Sequence, residues 1–179
     1  TLEVYLSLFR SDPPAAGPRL THWAEDFAAL ARGQYLGMML PDWMLATMRT
    51  DARTLLEGKL RCMPLPAWEP GGRRTSTAGG TMMGIPRDAG NVDAAWEMAK
   101  FLYFDHDVLV RRFRDYSMVP VRRTVFDDPA FDEPVPFFGG QRVGRLLTEL
   151  AEQVPPVHGS PYTPEAFTLL NAVFAKVVA

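Results

Sequence analysis

Proline and glycine divide this chain into short pieces, and that restricts it to folds built from short elements. Sixteen prolines and 14 glycines lie among 179 residues. A proline inside a helix removes a hydrogen bond and collides with the preceding turn, so regular structure must fit between them. The pieces are read in order. Residues 2–10 carry Leu2, Tyr5, Leu6 and Phe9 at helical spacing and read as the end of a helix. Pro13, Pro14, Gly17 and Pro18 make a loop. Thr21 is placed to cap a helix with Trp23, Phe27, Leu30 and Ala31 on one face, and Gly33 stands where a left-handed stop is needed. Residues 35–40 read as a short buried strand, with Gly37 allowing close approach of a neighbour. Asp42 then caps a helix to about Leu56, stopped by Gly58.

Residues 60–64 and 79–85 are two further strand candidates, separated by a proline loop around Trp68. Asn91 caps the clearest helix, whose stripe Val92, Ala95, Trp96, Ala99, Leu102 and Tyr103 predicts a buried face. Asp105 caps another with Leu109, Phe113 and Tyr116. Residues 117–138 hold four prolines and are expected to be mostly irregular. Val143, Leu146, Leu147, Leu150 and Val154 mark a helix, and Thr163 with Pro164 starts the last one, with Phe167, Leu170, Phe174 and Val177 as its stripe. The expected fold class is α/β: a helix-rich chain with a small mixed sheet covered by helices. No repeat or low-complexity tract interrupts it.

Charge narrows the partners. A net charge of -2 argues against nucleic acid, which demands a basic surface. Arg111, Arg112, Arg114, Arg122 and Arg123 cluster, but acidic neighbours make a solvated helix face the expectation. Cys62 is the one cysteine and reads as a small core residue. No apolar run is long enough to span a membrane and no signal peptide stands at the start; the start inside a helical pattern points to an internal cut.

Reactive chemistry finds little support. His22, His106 and His158 share no metal-binding spacing, and none of the glycine pairs 71–72, 79–80 and 139–140 fits a phosphate-cradling motif. No serine elbow occurs. No cofactor is expected. Asp127, Asp128, Asp132 and Glu133 read as solvated loop acids, although acids paired across space are invisible to sequence. Aromatics at loops and element ends are more telling, because a ring beside polar groups is how a site grips a sugar. Trp43 fits that role and a core role equally; Tyr162 fits it or a helix-entry staple. Trp68 is expected to pack its own loop, and Trp96 to be core.

The order of segments resembles family 1 extracellular solute-binding proteins, the sugar-binding, maltose-binding-protein-like components of bacterial ABC importers. Residues 27–43, from Phe27 through Gly33 to Trp43, look like that family's passage ending in glycine-x-tryptophan. Residues 78–86 resemble its strand with a glycine pair and a closing Ile-Pro, here Gly79, Gly80, Ile85 and Pro86. Residues 91–102, with Asn91, Ala94, Ala95, Trp96, Lys100, Phe101 and Leu102, resemble its following helix almost position by position, and Pro120 with Arg122 resembles its P-x-R. The resemblance spans the chain but matches only the C-terminal half of the family's length. It implies a periplasmic binding protein-like II fold in which two lobes close over a solute. Residues 1–77 would belong to the second lobe, 78–118 would return to the first, and 119–179 to the second; the glycine pair and residues 116–120 would be hinges.

The implied ligand set is Trp43 with Asp42 beside it, Gly79, Gly80, Thr81 and Tyr162. Thr81 stands where sugar binders often have an aromatic, and Pro41-Asp42 where a glycine commonly precedes the tryptophan. The implied partners are a sugar-like solute and the permease transmembrane subunits, at a periplasmic or extracellular location. A half cleft would bind solute weakly or undetectably and would expose apolar surface that favours self-association. The alternatives are a carbohydrate-active enzyme using acids such as Asp42 or Asp128, and a helical protein-interaction module.

Overall fold

The computed structural model describes residues 2–11, 22–77, 80, 82–156 and 159–178. Its helices are α1 (Leu2–Arg10), α2 (Trp23–Ala31), α3 (Asp42–Asp51), α4 (Arg53–Leu56), α5 (Val92–Phe104), α6 (His106–Tyr116), α7 (Val143–Ala151) and α8 (Thr163–Val178). Three 3-10 turns, Arg123–Val125, Pro129–Asp132 and Pro136–Phe138, lie between α6 and α7. The chain forms two compact units, one of Thr1–Leu36 with Pro156–Ala179 and one of Gly37–Pro155. In the first, α1 packs on α8.

The larger unit is organised by α6. Its Leu109, Val110 and Phe113 meet Val125, Ala130 and Phe131, with Leu147 of α7 against the cluster. The Phe113 and Phe131 rings stack with centroids 4.3 Å apart, and Phe126 tilts onto Phe131. α3 packs on α6 and buries Met44, Leu45, Ala46 and Met48. Each such buried side chain stabilises by about 1.5–3 kcal/mol relative to exposure.

Helix ends follow local chemistry. Asn91 Oδ1 accepts from Ala94 N at 3.0 Å and Asp105 Oδ1 from Val108 N at 3.0 Å, capping α5 and α6 as expected. Gly33 and Gly58 take φ of +73° and +76°, the left-handed stops their positions predicted. Arginines close the other ends. Arg112 donates to Leu102 O and Arg122 to Phe104 O at the end of α5, while Arg49 donates to the Arg114 and Asp115 carbonyls at the end of α6. These are carbonyls a helix cannot satisfy by itself. Arg112 also lies over the Tyr103 ring. The arginine cluster is therefore a set of clamps in part, not simply a solvated face.

The expected sheet is absent among the described residues, where the only pairing is an isolated bridge between Val135 and Gln141. Residues 35–40, 60–64 and the described part of 79–85 form no ladder. A strand needs a neighbour for its N–H and C=O groups, and local sequence cannot supply one. Leu36, Met39, Met63 and Met82 are exposed instead, and a Cβ at Gly37 would meet only open space.

Several finer expectations change as well. Asp42 is the first residue of α3 and Pro41 takes the cap position without a side-chain bond. The helix expected to reach Leu56 breaks at Ala52 into α3 and α4. Of the α5 stripe only Ala99 is buried; Trp96 is 51% exposed and Val92 is exposed too. Trp23, Tyr116, Phe167 and Leu170 are exposed rather than core. Residues 117–138, read as irregular, supply Val125, Phe126, Ala130, Phe131, Phe137 and Phe138 to the buried set. The loop acids are engaged: Asp132 pairs through both oxygens with Arg145, Glu133 with Arg114, and Asp128 caps its turn through Ala130 N. The Arg145 hydrogen bond holds the Asp132 carboxyl below its ordinary value. Thr21, the 12–18 loop, the side-chain pattern Leu2, Tyr5, Leu6 and Phe9, His158 and Val177 lie outside the described residues or side chains.

Candidate ligand-binding site

The first turn of α3 carries the two neighbouring candidates, Asp42 and Trp43. Pro41, extended at φ -73° and ψ 161°, turns the chain into the helix there. The buried side of α3 is taken by Met44, Leu45, Ala46 and Met48, which leaves Trp43 on the open side at 45% exposure. Trp43 is therefore not a core anchor of this unit. A half-exposed indole keeps a free face and a polar edge, which suits stacking on the apolar side of a sugar ring. Asp42 is partly buried, and its Oδ2 accepts from Val119 N at 2.9 Å. One carboxylate oxygen is therefore committed to backbone within the fold.

Just before Val119, Ser117 ends α6 in the left-handed conformation with φ 55°, and its N–H donates to Phe113 O at 2.8 Å. Non-glycine residues adopt this conformation uncommonly. Arg49 at one end of α3 thus holds the Arg114 and Asp115 carbonyls before this bend, and Asp42 at the other end holds Val119 after it. Burial lowers the Arg49 pKa from its ordinary value, with the Asp115 carboxylate acting the other way.

Gly80 is exposed, with φ +152° and open space where a Cβ would stand. Gly79 and Thr81 lie outside the described residues. Tyr162 belongs to the other compact unit and is exposed just before α8, where Ser160 Oγ accepts from its backbone N–H at 3.2 Å. Thr163 starts α8, and its hydroxyl accepts from Ser160 N at 3.0 Å.

Among the described residues no group of three or more histidine, cysteine or acidic side chains is placed to hold a metal ion. His106 is exposed and sits between Asp107 and Asp128, with Nε2 3.5 Å from Asp128 Oδ2. Cys62 is half buried, and Gln141 grips its backbone: the Gln141 Oε1 accepts from Cys62 N and its Nε2 donates to Cys62 O, both at 2.8 Å. Burial pushes the Cys62 thiol up to about 11. Against an ordinary value of 9.0 that is about a hundredfold less thiolate at neutral pH. Iodoacetamide at pH 8 should therefore alkylate the folded protein about a hundredfold more slowly than the urea-unfolded chain, as followed by mass spectrometry. The raised thiol pKa leaves stability intact below about pH 9 and removes it as pH climbs toward about 11.

Over 145 residues the chain is 26% identical to an arabinooligosaccharide-binding protein of Halalkalibacterium halodurans, covering 80% of this chain and 32% of that protein. Over 154 residues it is 23% identical to an arabinooligosaccharide-binding protein of Bacillus subtilis, covering 84% of this chain and 35% of that one. The chain is similar to sugar-binding solute-binding proteins. The resemblance read from segment order thus agrees with an independent comparison. The chain spans about a third of the length of the curated relatives it matches. No family model matches it, and no solved structure does. Among the described residues no helix is long and apolar enough to cross a membrane.

Sequence reasoning missed that Trp68 is exposed rather than packed in its loop. No local signal in the sequence distinguishes the two outcomes, because the exposure of a loop side chain is set by what packs over it.

Proposed function

We propose that this chain is part of the solute-binding component of an ABC importer, and that its solute is an arabino-oligosaccharide or a closely related carbohydrate. The similarity to two arabinooligosaccharide-binding proteins over four fifths of the chain carries this reading. The open indole of Trp43 on a helix start is the local feature that suits it. On this reading Trp43 stacks on a sugar ring, with Asp42, Gly79, Gly80 and Thr81 as further ligand contacts. Solute bridging the two lobes favours the closed state by its differential affinity for it.

The cycle is capture and release to the permease, outside the cytoplasmic membrane, and no bond is made or broken. The similarity to two proteins named as binding proteins supports this.

The test is a titration of the nitrogen-labelled protein with arabinotriose, following the four tryptophan indole N–H signals by NMR. The Trp43 signal is expected to move saturably with a dissociation constant on the order of millimolar. Trp43→Ala should weaken binding about tenfold or more, and the sugar should be recovered unhydrolysed. Indole signals that all stay still at saturating sugar overturn the proposal, as does release of arabinose.

A further inference from the structure

The larger unit holds a cavity of about 200 Å³ beside the C-terminal end of α3. An apolar cavity of about 150 Å³ already admits benzene, whereas drug-sized ligands need about 300–1,000 Å³. This space therefore suits a molecule of about ten heavy atoms or fewer. Its apolar walls are Phe113 of α6, Phe138 of the last 3-10 turn, and Val143 and Leu147 of α7. Neither Asp42 nor Trp43 lines it, and about 9 Å of helix axis separates Trp43 from Arg49, which does.

Two polar lining residues have capacity that the fold leaves unspent. Arg49 uses only Nη2, which donates to the Arg114 and Asp115 carbonyls, so its Nε and Nη1 remain without a hydrogen bond. The Ser117 hydroxyl makes none either, although the residue is only 6% exposed. Among the described residues no buried side-chain nitrogen or oxygen lacks a partner, so these atoms open onto free space, and the cavity they line supplies it. Ser117 also holds φ 55°, which glycine adopts without strain and serine does not. Serine at this bend keeps a hydroxyl that glycine would lack. Arg114 and Glu133 line the cavity too but pair with each other at 2.6 Å, which leaves Arg49 as the unmatched charge of the lining. The Asp115 carboxylate acts on Arg49 from outside the lining and is exposed to solvent, which screens it.

We propose that this cavity is a second ligand site, for a small carboxylate with a compact apolar body. The carboxylate accepts from Arg49 and from the Ser117 hydroxyl, and a charged acceptor makes such bonds about twice as strong as neutral ones. The apolar body replaces water against Phe113, Phe138, Val143 and Leu147. A sugar, hydroxylated on all sides, would leave hydroxyls unpaired against those walls, so this site is independent of the carbohydrate reading.

Benzoate is the probe, with benzyl alcohol as its uncharged counterpart and acetate as the anion without an apolar body. Each is titrated into the isotope-labelled chain at constant ionic strength, following the Arg49 Nε–H and the Val143 and Leu147 methyl signals by NMR. Benzoate should move these signals saturably with a dissociation constant on the order of millimolar. Benzyl alcohol and acetate should each bind about tenfold more weakly or worse. Ser117→Gly removes the hydroxyl and relieves the bend, so the unfolding midpoint should hold or rise while benzoate weakens about threefold or more. Arg49→Gln should weaken benzoate about tenfold or more. Arg49 also closes the end of α6, so if that variant unfolds, Ser117→Gly decides. Signals that stay still at about 50 mM benzoate overturn the proposal. Benzyl alcohol binding as tightly as benzoate, or unchanged affinity in Ser117→Gly, overturns it as well. Equal movement of the exposed Arg111 and Arg123 Nε–H signals marks an adventitious anion only, with the same consequence. The Trp43 response to arabinotriose is a separate readout and stands whatever benzoate does.

Discussion

Phe131→Ala is expected to destabilise the larger unit by about 3–5 kcal/mol. The Phe131 side chain is 0% exposed, and its ring lies between those of Phe113 and Phe126. Truncation removes the transfer energy of a whole ring and leaves a void that α6 and the 3-10 turns around it cannot fill without shifting. Urea unfolding followed by far-UV circular dichroism measures it: the midpoint should fall with little change in slope. Because total stability is about 5–15 kcal/mol for a typical domain, the alanine variant can be too unstable to purify. Phe131→Leu is the companion, expected to lose less than the alanine variant but still to fold. A loss of under about 1 kcal/mol for Phe131→Ala would show that this ring does not anchor the core.

Gly144→Ala is expected to cost about 1–3 kcal/mol or more, although the same change inside an exposed helix gains about 1 kcal/mol. Gly144 is in the first turn of α7, and that helix packs on the Pro129–Asp132 turn. A Cβ there would stand 2.6 Å from Phe131 O and 2.8 Å from both Phe131 Cα and the Phe113 ring. Two of those three neighbours are backbone, so relief requires moving the turn or the helix. The sign of the change in unfolding midpoint is therefore diagnostic: a drop means that the close approach is real, a rise means that α7 sits farther from the turn. The Arg145–Asp132 pair spans the same contact and would be strained by any such shift.

Helices were legible because their signals are local. Asn91 and Asp105 bond to backbone three residues on, and Gly33 and Gly58 need only their own dihedral freedom, so each reads correctly from its neighbours. Burial was less legible. The stripe through Trp96 places those side chains on one face of α5, yet periodicity does not say what covers that face, and Trp96 stays half exposed. The converse holds at 125–138, where prolines hid six buried side chains because 3-10 turns have no 3.6-residue period. Within the candidate site, the exposure of Trp43 was not legible in the sequence. The role of the Asp42 carboxylate was missed, because its partner Val119 lies 77 residues away along the chain.

By itself, then, the sequence determined the caps at Asn91 and Asp105, the glycine stops at Gly33 and Gly58, and the likeness to sugar-binding solute-binding proteins. All of these depend on near neighbours or the order of segments. Only the tertiary structure decided that the strand candidates find no ladder partners among the described residues, that the core gathers on α6 and the turns after it, and that Trp43 and Trp68 stand open. Those outcomes are set by contacts between residues far apart in the chain, for which a local pattern supplies one side and never the other.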